Sequence, residues 1–269
     1  MFNLEKMSLI ITTRCNRNCD LCCEYVPHHK PFPDMSLKEE QQILDAVFEV
    51  ADNITSLHLT GGGEPFLHQQ LGEMIELAFE YKDKFDKLLV LTNSTINPNE
   101  SLRASILGHK DKIVIHASDY GVEPEREQEL YAWLKENQIQ HRIAVYHEDY
   151  QYFGGWVDYG VWEPRNRSQA DLSSIFKQCP VTRVMKGNWR TRDGKIHWCS
   201  RSQRGMELNL LPKEICDYVD LLDTRLSIEE KRAEIRRIEK LPYLRVCDWC
   251  SGDPGTEDET RRYKAAVQL

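Results

Sequence analysis

Cys15-Asn16-Arg17-Asn18-Cys19-Asp20-Leu21-Cys22 follows directly on an apolar run, Met7-Ser8-Leu9-Ile10-Ile11-Thr12, and sets three cysteines in a C-x3-C-x2-C spacing. Three thiolates so close in the chain can hold three corners of an iron–sulfur cube, leaving the fourth iron without a side chain. Clusters normally take four cysteines, so a set of three implies a coordination site kept open for something else. Structural zinc normally joins one C-x2-C to a second pair nearby; a zinc knuckle is the alternative reading of this stretch. The apolar run reads as a buried strand that delivers the cysteines from its C-terminal end.

Outward from that stretch, strand and helix signals alternate. Ser36 and Glu39 form a capping box, and Ile43, Leu44, Val47, Val50 and Ala51 keep helical period after it. Ser56-Leu57-His58-Leu59-Thr60 predicts a second strand, and Leu71, Met74, Ile75, Ala78 and Tyr81 a second helix. Lys87–Thr92, Lys112–His116 and Arg142–Tyr146 predict three more strands. Asn97 and Pro98 open one intervening helix, closed by Gly108, and Pro124 opens another. Five strands alternating with four helices predict parallel β/α units, with strands apolar enough to be covered on both faces. Residues 149–178 show no clean period and read as a long functional loop, with one strand near Trp156.

Open α/β sheets and barrels gather ligands at the C-terminal ends of their strands. The cysteine triplet sits there, and so do Thr60-Gly61-Gly62-Gly63-Glu64-Pro65, Thr92-Asn93-Ser94 and Ser118-Asp119-Tyr120. Glycines let backbone approach a ligand closely, and Glu64 can accept charge-assisted hydrogen bonds from an ammonium.

The 269 residues, 41% hydrophobic and 29% charged, suffice for one large domain, or a medium one with a small one. The net charge of −8 is spread along the chain and argues against a nucleic-acid partner. No apolar run approaches the roughly 20 residues of a membrane span. Met1–Lys6 lacks the order of a signal peptide, so a cytoplasmic location is expected. The nine cysteines then point to metal or redox work rather than disulfides. Four lie between Cys15 and Cys23, and the others, Cys179, Cys199, Cys216, Cys247 and Cys250, all lie in the last third.

Cys15, Cys19 and Cys22 on the first β/α loop, with Gly62-Gly63-Glu64-Pro65 after the second strand, resemble the radical S-adenosylmethionine superfamily over roughly residues 7–150. The resemblance implies a partial (β/α) TIM-like barrel of five to six parallel strands. It implies a 4Fe-4S cluster on Cys15, Cys19 and Cys22 whose open iron takes the amino and carboxylate groups of S-adenosylmethionine. One electron then yields a 5′-deoxyadenosyl radical that abstracts hydrogen from the substrate. Carried over by position, Gly62, Gly63 and Glu64 hold the methionine amine, and Asn93, Ser94 and Ser118 the ribose. The family usually places an aromatic residue just before the third cysteine; here it is Leu21.

Val184 to Trp198 reads as a hairpin turned at Asp193-Gly194, with Cys179 before it and Cys199 after. A short helix around Ile215, Val219 and Leu222 follows, then one capped by Ser227 and Glu230, then Cys247-Asp248-Trp249-Cys250. Four thiols suit a complete cluster, and a structural zinc is the alternative. This order resembles the twitch domain, a shortened relative of the SPASM domain, and implies a second, auxiliary 4Fe-4S cluster on Cys179, Cys199, Cys247 and Cys250. The expected division is a barrel at 1–150, a substrate-facing connection at 151–178, the iron–sulfur domain at 179–255 and a fraying tail at 256–269.

The function expected is hydrogen abstraction from a sugar, cyclitol or similar polar metabolite, ending in alcohol oxidation. Asp119, Tyr120, Trp156 and Tyr159 are the candidate substrate contacts, and a flavodoxin or ferredoxin the expected electron donor. Cys216, if not simply buried, would be a hydrogen donor, making the chain a radical epimerase of a carbohydrate or peptide. Cys23 reads as a packed bystander. The non-enzymatic alternative is a zinc-stabilised binding module.

Overall fold

The computed structural model describes residues 1–152, 156–183, 187–252 and 263–269. Strands β1 (Asn3–Thr12), β2 (Asn53–Gly61), β3 (Phe85–Thr92), β4 (Ile113–Asp119) and β5 (Gln140–Val145) alternate with helices α1 (Leu37–Val50), α2 (Leu71–Phe79), α3 (Glu100–Gly108) and α4 (Pro124–Glu136). Then come α5 (Gln169–Gln178), α6 (Pro180–Arg183), β6 (Asn188–Thr191), β7 (Lys195–His197), α7 (Ser200–Glu207), β8 (Tyr218–Asp220) and α8 (Ile228–Glu239). The strands form one open sheet in the order β5-β4-β3-β2-β1-β6-β7-β8.

The first five strands are parallel, as the alternation predicts, and β6 is a sixth, pairing parallel with β1 from Lys6↔Asn188 to Leu9↔Thr191. The hairpin at Asp193-Gly194 is present, with Gly194 at φ +86°; the expected Val184 lies outside the described residues. That hairpin continues the barrel sheet, so the sheet does not break at the boundary expected near residue 179.

Both expected capping boxes form, at Ser36–Glu39 and Ser227–Glu230. The side chains of Ile43, Leu44 and Val47 on α1 and Met74 and Ile75 on α2 pack with Met7, Leu9, Leu57, Leu59, Leu88, Val90, Ile113 and Ile115 in one buried core. Alternate residues of each strand face the other way, and there the apolar expectation fails: Ser8, His58, Thr60, His116 and Arg190 line this inner face. Single polar residues between apolar neighbours have little weight in a run, yet period two puts them all on one side.

Three other expectations need correction. Residues 149–178 contain α5, capped by Ser168, whose side chain accepts from Asp171 N. No strand forms near Trp156 among the described residues. Around Ile215 there is one 3-10 turn, Lys213–Ile215, and then strand β8 instead of a helix.

Glu40, on the buried face of α1, is 0% exposed, and both its carboxylate oxygens lack a hydrogen-bond partner. Burial pushes its carboxyl up to about 9. A carboxyl held that far above its usual 4.5 is buried neutral; the native state loses stability relative to the unfolded chain as pH rises between those values. Glu40→Met should therefore flatten the decline in Tm between pH 5 and 9 and add on the order of 2 kcal/mol at pH 8. Unchanged pH dependence in thermal denaturation would show that Glu40 is not buried as described.

Candidate functional site

The loop after β2 is locked onto the loop after β1. Gly62 N and Gly63 N donate to Thr12 O at 2.8 and 3.3 Å, and Glu64 N donates to Arg14 O at 2.8 Å. A Cβ on Gly63 would lie 2.0 Å from Arg14 O, and one on Gly62 2.2 Å from the Arg204 guanidinium. The close approach these glycines allow is thus to the chain itself, at the root of the cysteine loop. Arg14 secures the same root, with Nε donating to Asp34 Oδ2 at 3.0 Å and Nη2 to Leu67 O at 2.7 Å.

Glu64 is 1% exposed and joins this loop to the end of β3. Its carboxylate accepts from Asn93 N (2.6 Å), Thr92 Oγ1 (2.8 Å) and Phe66 N (2.9 Å). Burial pushes it up to about 7, opposed by those three donors. Its negative charge acts on Cys15, which burial pushes up to about 12. Cys22 is likewise raised by burial, to about 11. The three thiols are half-buried and interact electrostatically with one another.

Donors point at two of these sulfurs, where they favour a thiolate. Arg17 N lies 3.4 Å and Asn93 Nδ2 3.8 Å from Cys15 Sγ, and Gln268 Nε2 lies 3.3 Å from Cys19 Sγ. The tail expected to fray instead seals this loop. Cys19 and Gln268 form an antiparallel bridge, Asp20 N donates to Val267 O at 2.8 Å, and Leu269 N to Asn18 O at 2.9 Å. The reason is backbone pairing, which carries no composition signal; residues 253–262 lie outside the described set.

Around the rim, Asn93 Nδ2 also donates to Asn16 Oδ1 at 2.9 Å. Ser94 takes a left-handed φ of 64°, is 0% exposed, and keeps its Oγ without a partner. Ser118 and Asp119 are buried at the end of β4, with Asp119 Oδ1 3.2 Å from His147 Nε2. Tyr120 stacks on Tyr146 (centroids 5.5 Å apart) and meets Trp156 edge-on at 6.0 Å, so these aromatics form one wall. Phe153, Gly154 and Gly155 of the aromatic loop lie outside the described residues.

Cys179, Cys199, Cys247 and Cys250 line a single cavity with Ile175, Phe176 and Arg201. Burial raises Cys247 first, and the neighbouring Cys199, Cys250 and Cys179 raise it further. Gly252 N donates toward Cys250 Sγ at 3.4 Å. The four thiols share this apolar cavity, although among the described residues no three His, Cys, Asp or Glu side chains are gathered closely enough to hold a single metal ion. Tyr159 lines this cavity and also a second one, of about 220 Å³, bounded by Asp20, Leu21, Cys22, Tyr25 and Asp158. It therefore stands between the two cysteine sets.

No family model matches the chain. BtrN, solved in complex with AdoMet and 2-DOIA, aligns over 98% of this chain and 100% of its own, with a TM-score of 0.58 at 12% identity. Native anSMEcpe with bound AdoMet and Cp18Cys peptide aligns over 99% of this chain and 92% of its own, with a TM-score of 0.54 at 14% identity. This chain shares their fold. An S-adenosylmethionine-dependent nucleotide dehydratase of Selenomonas ruminantium is 29% identical over 97 residues, 36% of this chain. The aligned stretch spans about a third (32%) of that relative's length.

Within this shared fold, the parts that sequence reasoning missed are charged. Helix α7, Ser-Arg-Ser-Gln-Arg-Gly-Met-Glu, offers no apolar stripe, yet Ser200–Met206 are all buried. Arg204, 0% exposed, pairs with Glu24 (3.0 Å) and with Glu207, and Arg190 reaches the other Glu24 oxygen at 2.5 Å. Desolvation pushes Glu24 up, but the two arginines outweigh it and leave its carboxyl below the usual range. Arg201 donates to Trp249 O (2.6 Å), Val161 O (2.6 Å), Gly160 O (3.1 Å) and the Tyr25 hydroxyl, tying the auxiliary cavity to the cysteine loop. Arg201, Arg204 and Glu207, spaced three apart on a helix without an apolar stripe, leave no hydrophobic periodicity to reveal it.

The two leftover cysteines fall in opposite places. Cys23 is exposed rather than packed, beside the charges of Arg190 and Arg204. Cys216 is 3% exposed, with its thiol directed at Ser202 O (3.8 Å) and Pro212 O (3.7 Å). Glu24→Gln should cost ~3 kcal/mol, because it leaves the Arg190 guanidinium without its carboxylate and Arg204 with Glu207 alone. Urea unfolding measures it; a midpoint within error of the parent would remove the network from the account of stability.

Proposed function

We propose that the chain is a radical S-adenosylmethionine enzyme that oxidises a secondary alcohol of a sugar, cyclitol or similar polar metabolite. What carries this reading is the pairing of an incomplete cysteine set with a complete one. Three half-buried thiols stand at the rim, four more line one cavity behind them, and the fold is shared with proteins solved with AdoMet bound. Cys15, Cys19 and Cys22 would hold a cluster able to supply one electron to the sulfonium, and Cys179, Cys199, Cys247 and Cys250 would hold a second able to take up the electron left when hydrogen-atom and proton loss turn C–OH into C=O.

The residues of the chain do the rest. Gly62, Gly63 and Glu64 fix the cysteine loop in place. Asn93 holds its carboxamide against Cys15 and Asn16, where it can meet the methionine moiety. The unpartnered Ser94 Oγ and the buried Ser118 serve the ribose. Tyr120, Tyr146 and Trp156 give a ring an apolar wall and keep water away from it. His147, whose Nε2 faces Asp119 Oδ1, can take the alcohol proton at Nδ1. A flavodoxin- or ferredoxin-type protein would supply the first electron. Cys216, enclosed in the core with its thiol on two carbonyls, gives the epimerase alternative no support.

Anaerobically reconstituted protein should hold about eight irons and as many sulfides per chain, two four-iron clusters. Cys15→Ala, Cys19→Ala and Cys22→Ala should each abolish 5′-deoxyadenosine formation from AdoMet and reductant; retained formation takes the triplet out of the mechanism. Zinc without acid-labile sulfide would support the binding module instead.

Cys179→Ala and Cys247→Ala should each lose about half the iron while keeping AdoMet cleavage. Iron content equal to the parent's would dismiss the rear site.

A further inference from the structure

The inner face of the sheet is basic in a protein whose net charge is −8. Register places its residues in rows. Lys6 pairs with Ser56 and Ser56 with Lys87; Ser8 pairs with both His58 and Arg190; His116 pairs with Arg142. Paired residues share a face, and same-face neighbours along a strand lie ~6.6 Å apart, so these rows extend over about 13 Å. No Asp or Glu stands at an inner-face position of β1–β6 among the described residues. Proximity bears out the register: Lys6, Lys87 and His116 all act electrostatically on His58, and Arg142 on His116.

Two of these four cations, Lys87 and Arg142, have no counter-charge among the described residues. Arg190 is taken by Glu24, and Lys6 approaches Glu5 only at 3.7 Å. Lys87 and Arg142 have no carboxylate within 4 Å among the described residues. His58 is fixed between Ser8 Oγ (3.1 Å) and Ser56 Oγ (2.8 Å), whereas His116 keeps a buried Nε2 without a partner. Like charges gathered on one face repel one another, and an anion bound among them relieves that repulsion. Charges spread over several rows suit a group with more than one negative oxygen centre, which a lone carboxylate is not.

We infer that the substrate carries a phosphate ester or diphosphate, held on the inner face by Lys87, Arg142 and Lys6 with His116 as a neutral hydrogen-bond donor. The inference rests on the AdoMet reading only in making this anion part of the substrate. Neutral sugars and cyclitols would then be poor substrates and their phosphorylated forms good ones.

Two measurements on the full chain test it. Calorimetric titration of reconstituted protein with pyrophosphate should show one site, weakened at least tenfold by Lys87→Ala and by Arg142→Ala and weakened further by added salt. Both side chains are exposed, so folding should survive; Lys110→Ala, on the surface loop before β4, serves as the control. In parallel, 5′-deoxyadenosine formation is compared between glucose 6-phosphate and glucose, and between ADP and adenosine. Stimulation by either phosphorylated member over its neutral partner supports the assignment, and which pair responds tells sugar phosphate from nucleotide. Absence of pyrophosphate binding, or binding indifferent to Lys87 and Arg142, overturns it. AdoMet cleavage without any preference for phosphorylated compounds sinks this inference alone; failure of cleavage altogether sinks the AdoMet reading, while pyrophosphate binding is still read separately.

Discussion

Glu24 stands two residues beyond the third cysteine and is held between Arg190 of β6 and Arg204 of α7. This contact joins the two halves of the chain, alongside the β1–β6 pairing and the Arg232–Asp52 ion pair. Burying three charges is costly, and the attraction among them does little more than offset that cost. The return is geometric. The cysteine loop is fastened by its own carboxylate to a strand and a helix nearly two hundred residues away. Arg204 also presses against Gly62, so the glycine loop, the cysteine loop and α7 meet at one point. None of the three can shift without disturbing the others.

Glu64 performs a similar task on the other side. It is a buried carboxylate that gathers the loop after β2 and the end of β3 into one unit, with Cys15 near enough to feel its charge. The cysteine loop is thus bracketed by two interior acids. One is neutralised by arginines, while the other, supported only by uncharged donors, is drawn up by burial to about 7. Both acids thus act as anchors of the loop, one with its charge balanced by arginines and the other with its charge weakened by burial.

Much of the frame could be read from the chain. Strands β1 to β5 and their helices announce themselves through period, caps and turn residues, and the cysteine spacings mark both candidate centres. What stayed hidden has one physical cause: it is polar and nonetheless interior. The strip Ser8, His58, His116 and Arg190 emerges only once register aligns it. Helix α7 is buried through ion pairs instead of leucines. The pairing of Val267 and Leu269 with Asn18 and Asp20 uses backbone alone, which no side-chain pattern encodes.

That last pairing carries a temporal implication. The loop bearing Cys15, Cys19 and Cys22 emerges early in synthesis, but its outer edge is closed by residues some 250 positions later. A nascent chain would present Cys19 uncovered until residue 269 had been made. Closure of the Cys19 loop therefore waits on residues 267–269, and a substitution at Gln268 would loosen a loop far from it in the chain.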